Sequence, residues 1–77
     1  MDFLSLTTSI QTFLERDGYR YCIKEDSDDV LIVEKYNRND LISSCCISRS
    51  QLLNLREEAM PAFVTMLHEQ LNQSILP

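Results

Sequence analysis

Gly18 is the only glycine among 77 residues, and the hydrophobic pattern changes character across it. Upstream, Phe3, Leu6, Ile10, Phe13 and Leu14 recur at the spacing of one helix face, with Ser5, Thr8, Gln11, Thr12 and Glu15 falling elsewhere. Downstream, Tyr19, Tyr21 and Ile23 alternate with Arg20, Cys22 and Lys24, which is the period of a half-buried strand. A chain leaves a helix sharply through a left-handed residue, a conformation glycine adopts without steric cost. The sequence therefore predicts a helix over 3–17 with Asp2 as its N-cap. A left-handed turn at Gly18 and a strand follow at once.

Glu25-Asp26-Ser27-Asp28-Asp29 breaks the alternation with residues that favour turns. A second strand, rich in β-branched residues, covers Val30 to Tyr36. Asn37-Arg38-Asn39-Asp40 is a second turn, and Leu41 to Ile47 a third strand. Connections this short join antiparallel neighbours, so the three strands form a meander. Ser48-Arg49-Ser50-Gln51 fits a capping box that opens a helix through Leu52, Leu53, Leu55 and Ala59. Pro61 cannot donate to the carbonyl of Glu57, and its ring crowds that carbonyl. Either the helix kinks near Ala59-Met60 or a new one starts with Pro61 in its first turn. Met60, Phe63, Val64, Leu67, Leu71 and Ile75 form its apolar stripe. The expected fold class is α+β, a single domain over 1–77 in α-β-β-β-α order. Its three-stranded antiparallel meander is packed by an N-terminal helix and by a C-terminal helix kinked or broken at Pro61.

Seven Lys and Arg against twelve Asp and Glu give a net charge of −5, which repels nucleic-acid phosphates and anionic lipid. Neither nucleic acid nor a membrane is an expected partner. The longest apolar run, Val30 to Val33, is far short of a membrane span. Met1-Asp2-Phe3 places no basic segment ahead of an apolar run, so no secretory signal is expected. Cys22, Cys45 and Cys46 are too few and too irregular for a disulfide framework, which favours a reducing, cytoplasmic location. The Asn72-Gln73-Ser74 sequon would matter only in a secreted chain.

The acidic run from Glu25 to Asp29 lacks what a calcium loop needs. Counted from Asp26, the position that requires glycine is Leu31, already inside a strand. A solvated hairpin turn is the expectation. Cys45 and Cys46 are adjacent in a strand, so their side chains point to opposite faces and cannot share a metal with His68 easily. They read as reduced, small apolar residues, and His68 as a solvent-exposed helix flank. A Cys–His nucleophile would need a cleft and an oxyanion-stabilising turn, and no loop here supplies the glycines for one. No enzyme, metal or cofactor is expected. The α-β-β-β-α order resembles the double-stranded RNA-binding fold, whose surface relies on a lysine cluster at the start of the last helix. That stretch here reads Ser48-Arg49-Ser50-Gln51-Leu52, with a single arginine. The order and acidity also resemble the opening half of type III secretion chaperones, without a diagnostic motif.

What remains is a surplus of apolar positions. With Tyr19, Tyr21 and Ile23 under the helices, the next two strands are apolar on both faces: Val30, Ile32 and Tyr36 against Leu31 and Val33, then Leu41, Cys45 and Ile47 against Ile42 and Cys46. A meander packed on one side should alternate apolar with polar. The candidate partner interface is therefore Leu31, Val33, Ile42 and Cys46, rimmed by Lys24, Lys35, Ser44 and Ser48, together with Phe63, Leu67 and Leu71 on the last helix. Alternatively, one helix covers each face inside the monomer. Gly18 and Pro61 are the structural positions. The expected function is a small acidic non-enzymatic protein-binding module (a regulator, adaptor or chaperone-like subunit), acting as a homodimer through an unknown protein partner. The alternative is a nucleic-acid-mimicking inhibitor of the kind viruses and mobile elements encode. Because no cluster here suits a metal, a chelator should leave the thermal midpoint unchanged. A drop of tens of degrees with EDTA would overturn that.

Overall fold

Helix α1, Phe3–Leu14, starts where the sequence places a cap: the Asp2 carboxylate accepts from the Ser5 amide at 2.7 Å. In this computed structural model, which describes residues 2–73, a 3₁₀ turn at Glu15–Asp17 continues α1 to Gly18. Gly18 has φ 91°, and its amide donates to the Glu15 carbonyl at 3.0 Å. Three strands follow: β1 Arg20–Glu25, β2 Val30–Asn37 and β3 Asp40–Ser48, paired antiparallel in the order β1-β2-β3. The α-β-β-β-α order and the antiparallel meander are as the sequence predicts.

The strand register decides which residues meet the helices. Glu25 pairs with Leu31 and Leu31 with Ile47; Ile23 pairs with Val33 and Val33 with Cys45. Leu31 and Val33 thus share a face with Tyr21, Ile23, Cys45 and Ile47, and both are fully buried beneath the helices. This inverts the face expected for β2, where Val30, Ile32 and Tyr36 were to point inward. The cause is parity: a shift of one residue in a hairpin moves every side chain of the strand to the other face. The turn between β1 and β2 fixes that register, with the Asp26 and Ser27 amides both donating to the Val30 carbonyl. Near its start, β3 carries a bulge. Tyr36 pairs with Leu41 and Lys35 with Ser43, which leaves Ile42 as the extra residue.

The C-terminal helical segment breaks earlier than Pro61 alone requires. Helix α2, Arg49–Leu53, ends at Asn54, and Arg56 is extended at φ −87°, ψ 152°. A 3₁₀ turn at Glu57–Ala59 leads into helix α3, Met60–Gln73, with Pro61 in its first turn. There the missing N–H costs no intrahelical bond, and the Pro61 carbonyl accepts from Thr65 Oγ1 at 3.0 Å. The break lets Leu52 and Leu55 both turn toward the core. Ile75 of the expected stripe and Ser74 of the sequon lie outside the described residues.

One core joins all elements: Leu6, Ile10 and Leu14 of α1, Tyr21, Leu31, Val33 and Ile47 of the sheet, Leu52 of α2, and Met60, Phe63, Val64, Leu67 and Leu71 of α3. The helices therefore lie on a single face of the sheet, and the arrangement with one helix on each face is not adopted. Val33→Glu and Leu67→Glu would place a charge in this core, so neither can report on an interface. Gly18→Ala should destabilise by about 1 kcal/mol, because a Cβ is disfavoured at positive φ. A Cβ there meets nothing within 4 Å, so backbone strain is the whole cost. A urea midpoint equal to that of the wild type would overturn this.

Candidate functional site

The face of the sheet turned away from the helices is the molecule's open surface. By register it carries Arg20, Cys22 and Lys24 on β1, Val30, Ile32, Glu34 and Tyr36 on β2, and Leu41, Ser44, Cys46 and Ser48 on β3. Of the expected interface residues, Cys46 is exposed on this face and Ile42 is half-buried at the bulge beside it. Leu31, Val33, Phe63, Leu67 and Leu71 lie in the monomer core instead. The apolar residues of the open face are thus Val30, Ile32, Tyr36, Leu41, Cys22 and Cys46.

Charge is unevenly placed on that face. At its middle, Lys24 Nζ sits 2.9 Å from Glu34 Oε1, and the Tyr36 hydroxyl donates to the same oxygen at 3.1 Å. The bond from Lys24 is the main reason the Glu34 carboxyl titrates below its ordinary range. At one end, a hollow of about 270 Å³ is lined by Arg20, Tyr21, Cys22, Tyr36, Arg38 and Asn39. Arg38 holds φ 60° in the β2–β3 turn, and neither arginine has an ion-pair partner among the described residues. At the other end lies the acidic turn.

That turn does more than face solvent. The Asp29 carboxylate accepts from Ser50 Oγ at 2.7 Å and from the Ser50 amide at 3.3 Å, so it caps α2 from a distant part of the chain. Ser48 Oγ completes the cap by accepting from the Gln51 amide at 3.2 Å. These bonds from Ser50 hold the Asp29 carboxyl below its usual range. Arg49 then clamps the turn, with Nη2 2.5 Å from Glu25 Oε1 and Nε donating to the Asp28 carbonyl at 3.1 Å. Its guanidinium lies 4.4 Å from the centre of the Phe3 ring. Asp26 and Asp28 keep exposed side chains with no ion pair among the described residues.

A second polar cluster closes the opposite end of the core. Asp17 accepts from the Tyr21 hydroxyl and, at 2.9 Å, from the Tyr19 amide. Lys35 Nζ lies 3.6 Å and His68 Nδ1 3.7 Å from the same carboxylate. His68 meets the Tyr21 ring edge-on with centroids 6.0 Å apart, and Lys35 Nζ sits 4.3 Å above the Tyr19 ring. His68 is therefore half-buried against α1 and the sheet, not free on a helix flank as the sequence suggested. Burial pushes the Asp17 carboxyl up, but the bonds from Tyr21 and Tyr19 and the nearby cations outweigh it and hold it below its ordinary range. Burial, then the bond to Asp17, drives the Tyr21 hydroxyl well above a free tyrosine. Beside Lys35 in the register, the Ser43 hydroxyl is buried with no hydrogen-bond partner. Sequence reasoning missed this cluster because its members come from three separate parts of the chain. The one local trace is Asp17 and Tyr21, four residues apart across Gly18.

Among the described residues, no three His, Cys, Asp or Glu side chains gather as metal ligands, and no helix is long and apolar enough to cross a membrane. Cys45 points into the protein, where burial raises its thiol pKa to about 11, while its neighbour Cys46 is exposed. No protein-family model, no curated protein and no solved structure matches this chain.

The Asp17 cluster predicts an acid dependence. Because its folded pKa lies below the unfolded one, the Asp17 contribution is complete above the ordinary carboxylate range, near pH 4. It is lost as pH falls through the folded value. Asp17→Asn should cost about 1–2 kcal/mol at neutral pH and flatten the fall in stability between roughly pH 5 and 2. Urea melts across that pH series test this. A slope equal to the wild type's would show that the Asp17 charge carries no part of it.

Proposed function

We propose that this chain is a small, acidic, non-enzymatic protein-binding module, and that it self-associates through the open face of its sheet. The observation that carries the reading is the placement of apolar side chains on both faces of β2, with the helices of the described residues over only one of them. Leu31 and Val33 are sealed in the monomer, yet Ile32 and Val30 between and beside them face outward with Cys46 and Leu41 nearby. A water-facing side of an antiparallel sheet is ordinarily polar. Contiguous apolar residues with a charged rim are the composition of a protein–protein contact.

The reading as a nucleic-acid mimic is weaker on one specific count. A mimic needs a row of free carboxylates spaced like phosphates. Asp17, Glu25, Asp29 and Glu34 are instead engaged with Tyr21, Arg49, Ser50 and Lys24 of the same chain. A non-enzymatic role is supported by the Asp17 cluster, whose groups satisfy one another across α1, β1, β2 and α3 and so act as a clasp.

Light scattering at micromolar concentration should give twice the 9.0 kDa chain mass. Ile32→Glu should give the monomer with the wild-type far-UV circular dichroism spectrum retained, because Ile32 lies outside the core. Cys46 supplies an internal reporter: a thiol reagent should modify it slowly in the wild type and rapidly in Ile32→Glu, with Cys45 protected in both. A 9.0 kDa species at every concentration would overturn self-association.

A further inference from the structure

The open face carries opposite charge at its two ends, and from this we infer that two copies pack face to face with their strands antiparallel, so that the Arg20–Arg38 hollow of each copy receives the acidic turn of the other. This rests on the reading of the open face as a self-association surface and adds the geometry that selects the partner. Arg20 and Arg38 stand at the end where β1 begins and β2 finishes, around a hollow of about 270 Å³. Asp26 and Asp28 stand in the turn at the far end of β1. Six strand residues separate the two ends, or roughly 20 Å at the rise of an extended chain.

Both groups are unpaired among the described residues. The three other cations at the sheet, Lys24, Lys35 and Arg49, are held by Glu34, Asp17 and Glu25. Arg20 and Arg38 are exposed, with no ion-pair partner among the described residues, and Asp26 and Asp28 share that state. In a chain of net charge −5, two free arginines beside one hollow are the local exception. Strands running parallel across the contact would set arginines against arginines and carboxylates against carboxylates. A two-fold axis lying between the sheets and perpendicular to the strands sets each against its opposite, twice over. The Lys24–Glu34 pair between the two ends is internally neutral and does not oppose either arrangement. The apolar residues, Ile32 foremost, then meet at the centre of the contact, with the charges at its rim.

Charge reversal separates this geometry from self-association in general. R20E/R38E and D26R/D28R alter exposed side chains that no ion pair among the described residues uses, so the far-UV circular dichroism spectrum should match the wild type and serve as the folding control. Each double variant alone should dissociate at least about tenfold more readily than the wild type, by sedimentation at low salt. Mixed in equal amounts, the two should form a mixed dimer of near wild-type affinity, because both contacts become complementary again. The wild-type dimer should weaken as salt rises. If R20E/R38E dimerises as tightly as the wild type, or the mixture fails to recover affinity, the antiparallel pairing is wrong while self-association stands. A wild type that stays monomeric removes the reading beneath it, and the pairing with it.

Discussion

Burial of the Leu31–Val33 face beneath α1 and α3 is the constraint on which the other features depend. A three-stranded sheet has two faces, and the helices among the described residues cover one. Its core gathers Leu6, Ile10 and Leu14 from one helix and Phe63, Val64, Leu67 and Leu71 from another onto four sheet residues. At roughly 1.5–3 kcal/mol for each large apolar side chain removed from water, this cluster outweighs any polar contact in the molecule. Once both helices are committed to that side, the strand alternation leaves Ile32 and Val30 half-buried and Cys46 exposed, with no helix of the described residues over them. The open face is thus a consequence of where the core formed.

The polar clusters at the two ends do a different job. An exposed ion pair contributes at most about 1 kcal/mol, so the Arg49–Glu25 pair, whose Glu25 side chain is largely exposed, does not decide whether the chain folds. What they fix is orientation. Asp29 and Arg49 tie the β1–β2 turn to the start of α2 and to Phe3, which holds that end of the sheet in place. Asp17 ties the end of α1 to β1, β2 and α3 through Tyr21, Lys35 and His68. These contacts also consume carboxylates and cations internally. Among the described residues, Arg20, Arg38, Asp26 and Asp28 are left without an ion pair around the sheet.

Much of the local structure was legible residue by residue. The Asp2 cap, the helical chain up to Gly18 and the positive φ there follow from short-range backbone chemistry, which a sequence displays directly; that its last turn, Glu15–Asp17, is 3₁₀ was not legible. The Ser48 cap and the place of Pro61 in the first turn of α3 belong to the same class. The end of α2 at Leu53 did not, because intrinsic propensity favours continuing through Leu55. The break instead turns Leu55 and Met60 into the core that α1 and the sheet share.

From its sequence alone, this chain determined its elements, their order and the antiparallel meander, since periodicity, caps and short turns act within a few residues. It also determined that apolar side chains exceed what one face of the sheet can bury. Only the tertiary structure decided which face that was. Apolar residues occupy every position from Val30 to Val33, so hydrophobicity alone cannot distinguish the odd-numbered set from the even one. The hairpin register broke the tie by pairing Ile23 with Val33 and Glu25 with Leu31. The same non-local geometry brought Asp17, Lys35 and His68 together and set Asp29 against Ser50. Contacts between residues so distant in the chain exist only once the backbone has closed around the core.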